Sequence, residues 1–240
     1  MPVLLSTAYF PPISYFAALS RMQFSGQGCR TLKPVVAYLE SNENYQKQSY
    51  RNRCHFYSAS GMQSLSFPVV HEGRTHSIPV SKIKVDWSTP WLQQHKRAIV
   101  SAYRTSAFFE YYQDELFDIM DRRPETLWEY NLSIIRFFIE KIGLAVDLRY
   151  TGDFSMSDSS VEEGVWKGLP YNRAAGACDL REVIHPKRPD DILERLGLEK
   201  PYFQVFSRKY GFIPNLSIMD LLFNEGTESI AALLSYEDCR

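Results

Sequence analysis

The chain has 240 residues, 45% hydrophobic and 14% aromatic, with a formal net charge of −1. That length can bury a sizeable core as one large domain or two small ones. The charge balance argues against broad binding to nucleic acid or an anionic membrane, so any positive site must be local.

No apolar run approaches the ~20 residues that span a bilayer. The opening MPVLLSTAYFPPISYF has no basic leader, and Ser6, Thr7 and the Pro11-Pro12 pair cut its apolar run, so no signal peptide is expected. Cys29, Cys54, Cys178 and Cys239 are scattered with no CxxC pair, which speaks against zinc and for free thiols in a reducing cytoplasm. A cytoplasmic protein is expected.

In chain order, VLLS (residues 3–6) predicts a short strand. Pro12 at a first helical position, then Ile13, Phe16 and Ala17, predicts a helix. FSGQGCRTLKP (24–34) carries two glycines and a proline and reads as a loop. PVVAYLE (34–40), rich in β-branched residues, predicts a second strand. Strand, helix, strand implies a βαβ unit with a parallel pair.

The stretch ENYQKQSYRNRCHF (43–56) is unusual in a near-neutral chain. Read as extended, it places Lys47, Ser49, Arg51 and Arg53 on one face. Cations so gathered repel unless they face water or a shared anion. A phosphate or carboxylate would satisfy them through charge-assisted, partly bidentate hydrogen bonds. A solvated face paired with Glu40 and Glu43 accounts for the same residues equally well.

From Arg51 to Val85, short alternating segments separated by Gly61 and Glu72-Gly73 predict a hairpin or small antiparallel extension, with His71 and His76 in a turn. A helical middle follows at about 89–143. Thr89 caps and Pro90 opens its first helix. Stripes at Phe109, Tyr112 and Leu116, and at Leu127, Ile134, Ile135 and Phe138, mark core faces, and Gly143 ends the last helix. LAVDLRYTG returns to strand, and the polar residues 151–178 read as a long mobile loop or lid. A short helix near 189–196, a strand at PYFQVF (201–206) and the segment PNLSIMDLL close the chain. In the last, Ser217 and Asp220 have capping-box spacing, which gives both a structural role. The expected fold is α/β: one domain over residues 1–240, with a Rossmann-like, mostly parallel sheet, a small antiparallel extension and a helical middle segment.

For chemistry, a helix N-terminus directly after a first strand is where open α/β sheets place anions. That nominates Tyr9, Phe10 and Pro11, although Pro11 and Pro12 remove donors and no glycine-rich loop is present. Asn215, beside Arg208 and Lys209, is a further ligand-contact candidate. The five histidines lack metal-ligand spacing, so no metal site is expected. His185, among Arg181, Lys187 and Arg188 at an expected helix end, is the general acid/base candidate. No GxSxG, P-loop or GxGxxG occurs, and nothing in the sequence names a cofactor.

Taken together, AYFPPISYFAAL, ENYQKQSYRNRC, SAYRTSAFFEYYQDEL and GFIPNLSIMDLLFNEG resemble the WbqC-like protein family, in that family's order and over most of the chain. The family's opening Gln-Pro-Tyr-Phe-x-Pro corresponds to Thr7-Ala8-Tyr9-Phe10-Pro11-Pro12, without the Gln-Pro pair. Its Tyr-x-Lys-x-x-x-x-Asn-Arg element is met at Tyr45, Lys47, Asn52 and Arg53, and its Leu-Ser-Ile-x-Asp at Leu216 to Asp220. Residues 23–34 depart from the family pattern and read as a local insertion.

The resemblance implies a bacterial role in O-antigen or other surface-polysaccharide biosynthesis, as a transferase, with an amino-acyl group such as glycine moving to a nucleotide sugar or glycan. It does not supply the catalytic residues. On this reading Lys47, Arg51 and Arg53 hold an anionic small molecule, either a sugar phosphate or an activated acyl donor. Tyr45 and Asn52 orient it, Tyr9 to Pro12 shape the pocket, and His185 is the base. A non-catalytic binding or scaffold protein and a nucleotidyl-transferring enzyme are the alternatives.

Overall fold

The structure, a computed structural model, describes residues 2–21, 35–70, 77–151, 171–172 and 177–234. The expected loops at 24–34 and over most of 151–178, and both His71 and His76, lie outside them.

The first strand, β1 (Val3–Ser6), leads into helix α1 (Ile13–Arg21) and then β2 (Val35–Glu40), as the sequence predicts. β1 and β2 pair in parallel, Val3 opposite Ala37 and Leu5 opposite Leu39. Further strands are β5 (Val146–Tyr150), β6 (Tyr171–Asn172) and β7 (Ala177–Asp179), giving the sheet order β5-β2-β1-β7-β6. β5 adds to β2, and β7 to β1, in parallel; β6 runs antiparallel on β7. The unbroken apolar run Val3, Leu4, Leu5 is buried, as befits a central parallel strand. The chain leaves β1 toward β2 and returns on its other side at β7. The carboxyl ends of β1 and β7 therefore form a topological switch point, where ligands bind in open α/β sheets.

Between β2 and β5 lie the hairpin β3 (Arg53–Ser58) and β4 (Gly61–Ser66), then the helices α2 (Trp91–Tyr103), α3 (Phe109–Asp121) and α4 (Leu127–Ile142). The hairpin is antiparallel, with Arg53 opposite Ser66 and Ser58 opposite Gly61. α4 starts at a capping box in which Thr126 and Glu129 exchange hydrogen bonds, and ends at Gly143, whose φ of 81° is cheap only for glycine. Its apolar face seats Phe138 against Phe10 and Phe16, while Tyr130 packs with Tyr9, Phe67 and Trp91. Short helices α5 (Ile192–Arg195), α6 (Ser207–Tyr210), α7 (Ile218–Glu225) and α8 (Ser229–Leu233) complete the described chain. Among the described residues, no helix is long and apolar enough to cross a membrane.

Four local expectations are corrected. The segment from Tyr45 to Asn52 is turns rather than strand, because Gln48 takes a left-handed φ of 58° and the Ser49 hydroxyl donates to the Gln46 carbonyl at 2.7 Å. Lys47 is consequently exposed, Arg51 buried and Arg53 half-buried, so they share no face. PYFQVF forms no strand: Ile213 N–H donates to the Gln204 side chain instead of a neighbouring backbone. Pro90, not Thr89, precedes α2, and no side chain caps it. Finally, Ser217 does cap α7 through the Met219 amide, but Asp220 does not complete the box. Its buried carboxylate accepts from Tyr202 Oη at 2.5 Å and Gln204 Nε2 at 2.9 Å.

Candidate functional site

Where the parallel strands end, the chain passes from core to solvent, and polar side chains gather. Ser6 ends β1, Glu40 ends β2, Thr151 follows β5, and Asp179 ends β7 with Arg181 just beyond. Glu40 accepts from Thr151 Oγ1 at 2.7 Å and from Arg181 Nη1 at 3.3 Å. Arg181 closes a fork on Asp179, Nε at 2.9 Å and Nη2 at 2.7 Å.

The stretch 43–53 folds over this edge, fastened by Tyr9 N–H to the Tyr50 carbonyl at 2.8 Å and Tyr45 N–H to the Ile78 carbonyl at 3.1 Å. Arg51 is 2% exposed and grips Glu43 with Nε at 3.0 Å and Nη2 at 2.6 Å. Its other donors reach Gln46 Oε1 at 3.3 Å and Ser6 Oγ at 3.2 Å. The guanidinium is thus neutralised from within. Burial raises the Glu43 pKa, and the Arg51 guanidinium and the Ser6 hydroxyl oppose that rise.

Above this pair lies an open groove of about 640 Å³, within the range of small-ligand sites. Lys47 and Arg181 line it together with Glu43 and Glu182; Asn44, Tyr45 and Gln46 complete the wall. Beneath, at the ends of β1 and β7, a narrow cleft of about 10 Å³ is lined by Thr7, Tyr15, Tyr50, Arg51 and Leu180, among others. It has room for about one water. Thr7 Oγ1, buried, has no hydrogen-bond partner there.

Arg53 lies beside Tyr45 and His55; burial raises the phenol pKa, against Arg51 and Arg53, and burial, then Arg53, lowers that of the imidazole. The Arg53 Nε is buried without an acceptor, and Arg53 forms no ion pair among the described residues. His185 sits in the turns after β7, not at a helix end. Burial, then Arg188, Arg51 and Lys187, lower its pKa against Glu182. The Lys187 amide donates to Nδ1 at 3.2 Å. That bond assigns the proton of the neutral ring to Nε2, so the ring presents a donor to the outside rather than a free lone pair.

The remaining candidates are engaged internally. Tyr9 is fully buried, its hydroxyl 2.9 Å from His95 Nδ1, and Phe10 is fully buried with a φ of 44°. The Pro11 carbonyl accepts from Ile218 N–H at 2.9 Å. Asn52 Nδ2 donates to the Phe67 carbonyl at 2.7 Å, closing the base of the hairpin. Asn215 Oδ1 accepts the Ser14 amide at 2.8 Å, and both Asn215 Nδ2 and Ser14 Oγ donate to Asp190. The N-terminus of α1 is therefore occupied by the chain's own amide and carboxylate rather than open to a ligand.

Of the predicted residues, Tyr45 and Lys47 line the groove, Arg51 lines the cleft beneath, and His185 follows the cleft-lining Ile184. Tyr9, Phe10, Pro11, Arg51, Asn52, Arg53 and Asn215 are not in the groove lining. Sequence reasoning passed over Gln46 and Glu182 as site residues and treated Glu43 and Arg181 only as neighbours; strand-end position is the signal that marks the latter pair. Among the described residues, no group of three or more His, Cys, Asp or Glu is placed to hold a metal ion.

A model of the WbqC-like protein family matches residues 7–232. Uncharacterized protein Rv1507c of Mycobacterium tuberculosis (strain ATCC 25618 / H37Rv) is 27% identical over 192 residues, covering 77% of this chain and 81% of that protein. No solved structure matches the chain.

Proposed function

The chain belongs to the WbqC-like protein family, and from that premise we propose that it is a cytoplasmic transferase of surface-polysaccharide assembly, such as O-antigen biosynthesis. The sheet-edge groove would take a sugar-bearing ligand with an anionic group, a sugar phosphate or activated acyl donor, and an amino-acyl group such as glycine is the transferred group. The observation that carries this reading is the groove's wall. Lys47 supplies positive charge for a phosphate or carboxylate, Arg181 is already forked on Asp179, and Asn44, Gln46 and Glu182 supply the donors and acceptors that sugar hydroxyls need. Catalysis would rest on positioning and on charge stabilisation of a leaving anion.

A second reading, a non-catalytic binding protein of the same pathway, draws support from the occupied Nδ1 of His185 and the neutralised Arg51. Calorimetric titration with nucleotide sugars and activated acyl donors, followed by turnover assays, separates the two. Wild type should bind, and Lys47→Ala should weaken binding about tenfold, the loss of one charge-assisted hydrogen bond. Equal affinity in both would defeat both readings of the groove. Binding without turnover would favour the second.

A further inference from the structure

A second groove, of about 590 Å³, lies between α2 and α3. Lys96, Arg97 and Arg104 line it, and Asp121 pairs with Lys96, so two guanidinium groups carry its excess positive charge among the described residues. Arg97 and Arg104 are exposed and form no ion pair among the described residues. They stand two helical turns apart, about 10 Å along the axis of α2. The floor is apolar, made by Val100 and Phe117. Lys96 is held in place from two sides: its ammonium lies 5.0 Å from the centre of the Phe117 ring and is paired with Asp121. Two unpaired guanidinium forks, with Lys96 already engaged by Asp121, match an anion with several oxygens, which accepts bidentate hydrogen bonds from each fork.

We propose that this groove is a phosphate-binding site, separate from the sheet-edge groove, which takes the phosphate of a lipid headgroup or of a small soluble phosphate. It does not depend on the transferase reading. Removing its arginines leaves the sheet edge untouched, so the two ideas fail separately.

The test measures calorimetric binding of inorganic pyrophosphate, and co-sedimentation with phosphatidylcholine vesicles containing phosphatidic acid. Wild type is compared with Arg97→Gln/Arg104→Gln and with Lys47→Ala, with folding checked by circular dichroism. Wild type should bind at least one probe, and the double variant about tenfold or more weakly. Pyrophosphate binding alone identifies a soluble ligand, and vesicle binding alone a lipid headgroup. Undiminished binding by the double variant, or no binding of either probe, overturns the proposal. Loss confined to Lys47→Ala overturns it too, while leaving the sheet-edge groove as the anion site.

Discussion

Replacing Arg51 by Met removes a guanidinium that is 2% exposed and leaves the Glu43 side chain, 12% exposed, with Ser6 as its remaining hydrogen-bond donor among those described. At an effective dielectric constant of ~20, unit charges about 4 Å apart attract by about 4 kcal/mol. Breaking a buried pair by deleting one partner typically costs ~3–5 kcal/mol, because the other charge stays desolvated. Arg51→Met should therefore lose about 4 kcal/mol in urea denaturation, read from the shift in midpoint at unchanged slope. Glu43→Leu should lose nearly as much, since it strands the Arg51 guanidinium. The double variant Arg51→Met/Glu43→Leu should recover most of the loss, giving a coupling energy of several kcal/mol. Single losses under ~1 kcal/mol, the range of exposed pairs, would refute the reasoning. So would losses that simply add in the double variant.

Burial raises the Asp220 pKa from the usual 3.8 to about 6, against the Tyr202, Gln204 and Tyr103 donors. A raised carboxylate pKa means the native state holds the proton more tightly. The stabilising contribution is complete below about pH 4 and is lost as pH rises through about 6. The stability of wild type relative to Asp220→Asn should accordingly fall by about 3 kcal/mol between those limits in denaturant titrations; a pH-independent difference would sink the assignment. At Gly226, with φ of 56°, an added Cβ would lie 2.6 Å from the Phe108 ring, whereas at Gly61, with φ of 92°, it would meet nothing within 4 Å. Gly226→Ala should cost ~1–3 kcal/mol more than Gly61→Ala in thermal melts, the typical penalty of overpacking, and equal costs would show that the contact is immaterial.

The opening βαβ unit and the three middle helices were legible because apolar spacing is local. VLLS and PVVAYLE fix the strands, and stripes such as Leu127, Ile134 and Phe138 fix α4. The site was legible only in part. Tyr45 and Lys47, both from the basic-aromatic stretch, line the groove. The turn at Gln48, however, depends on a left-handed residue and a side-chain-to-backbone bond that no periodicity reveals. Arg51 faces inward because Glu43 lies eight residues away across that turn. Asp220 and Asn215 show the same limit over longer range. Their partners, Tyr202 and Gln204 for one, Ser14 and Asp190 for the other, are joined to them only by the folded chain.

Lys47, exposed on the groove wall, offers the most direct test of ligand capture at the sheet edge. Its acylation rate can be followed by mass spectrometry with and without a saturating nucleotide sugar, with exposed Lys82 as internal reference. Bound ligand should slow modification of Lys47 several-fold and leave Lys82 unchanged. An unchanged Lys47 rate while calorimetry reports bound ligand would place the sugar elsewhere and contradict capture at the sheet edge.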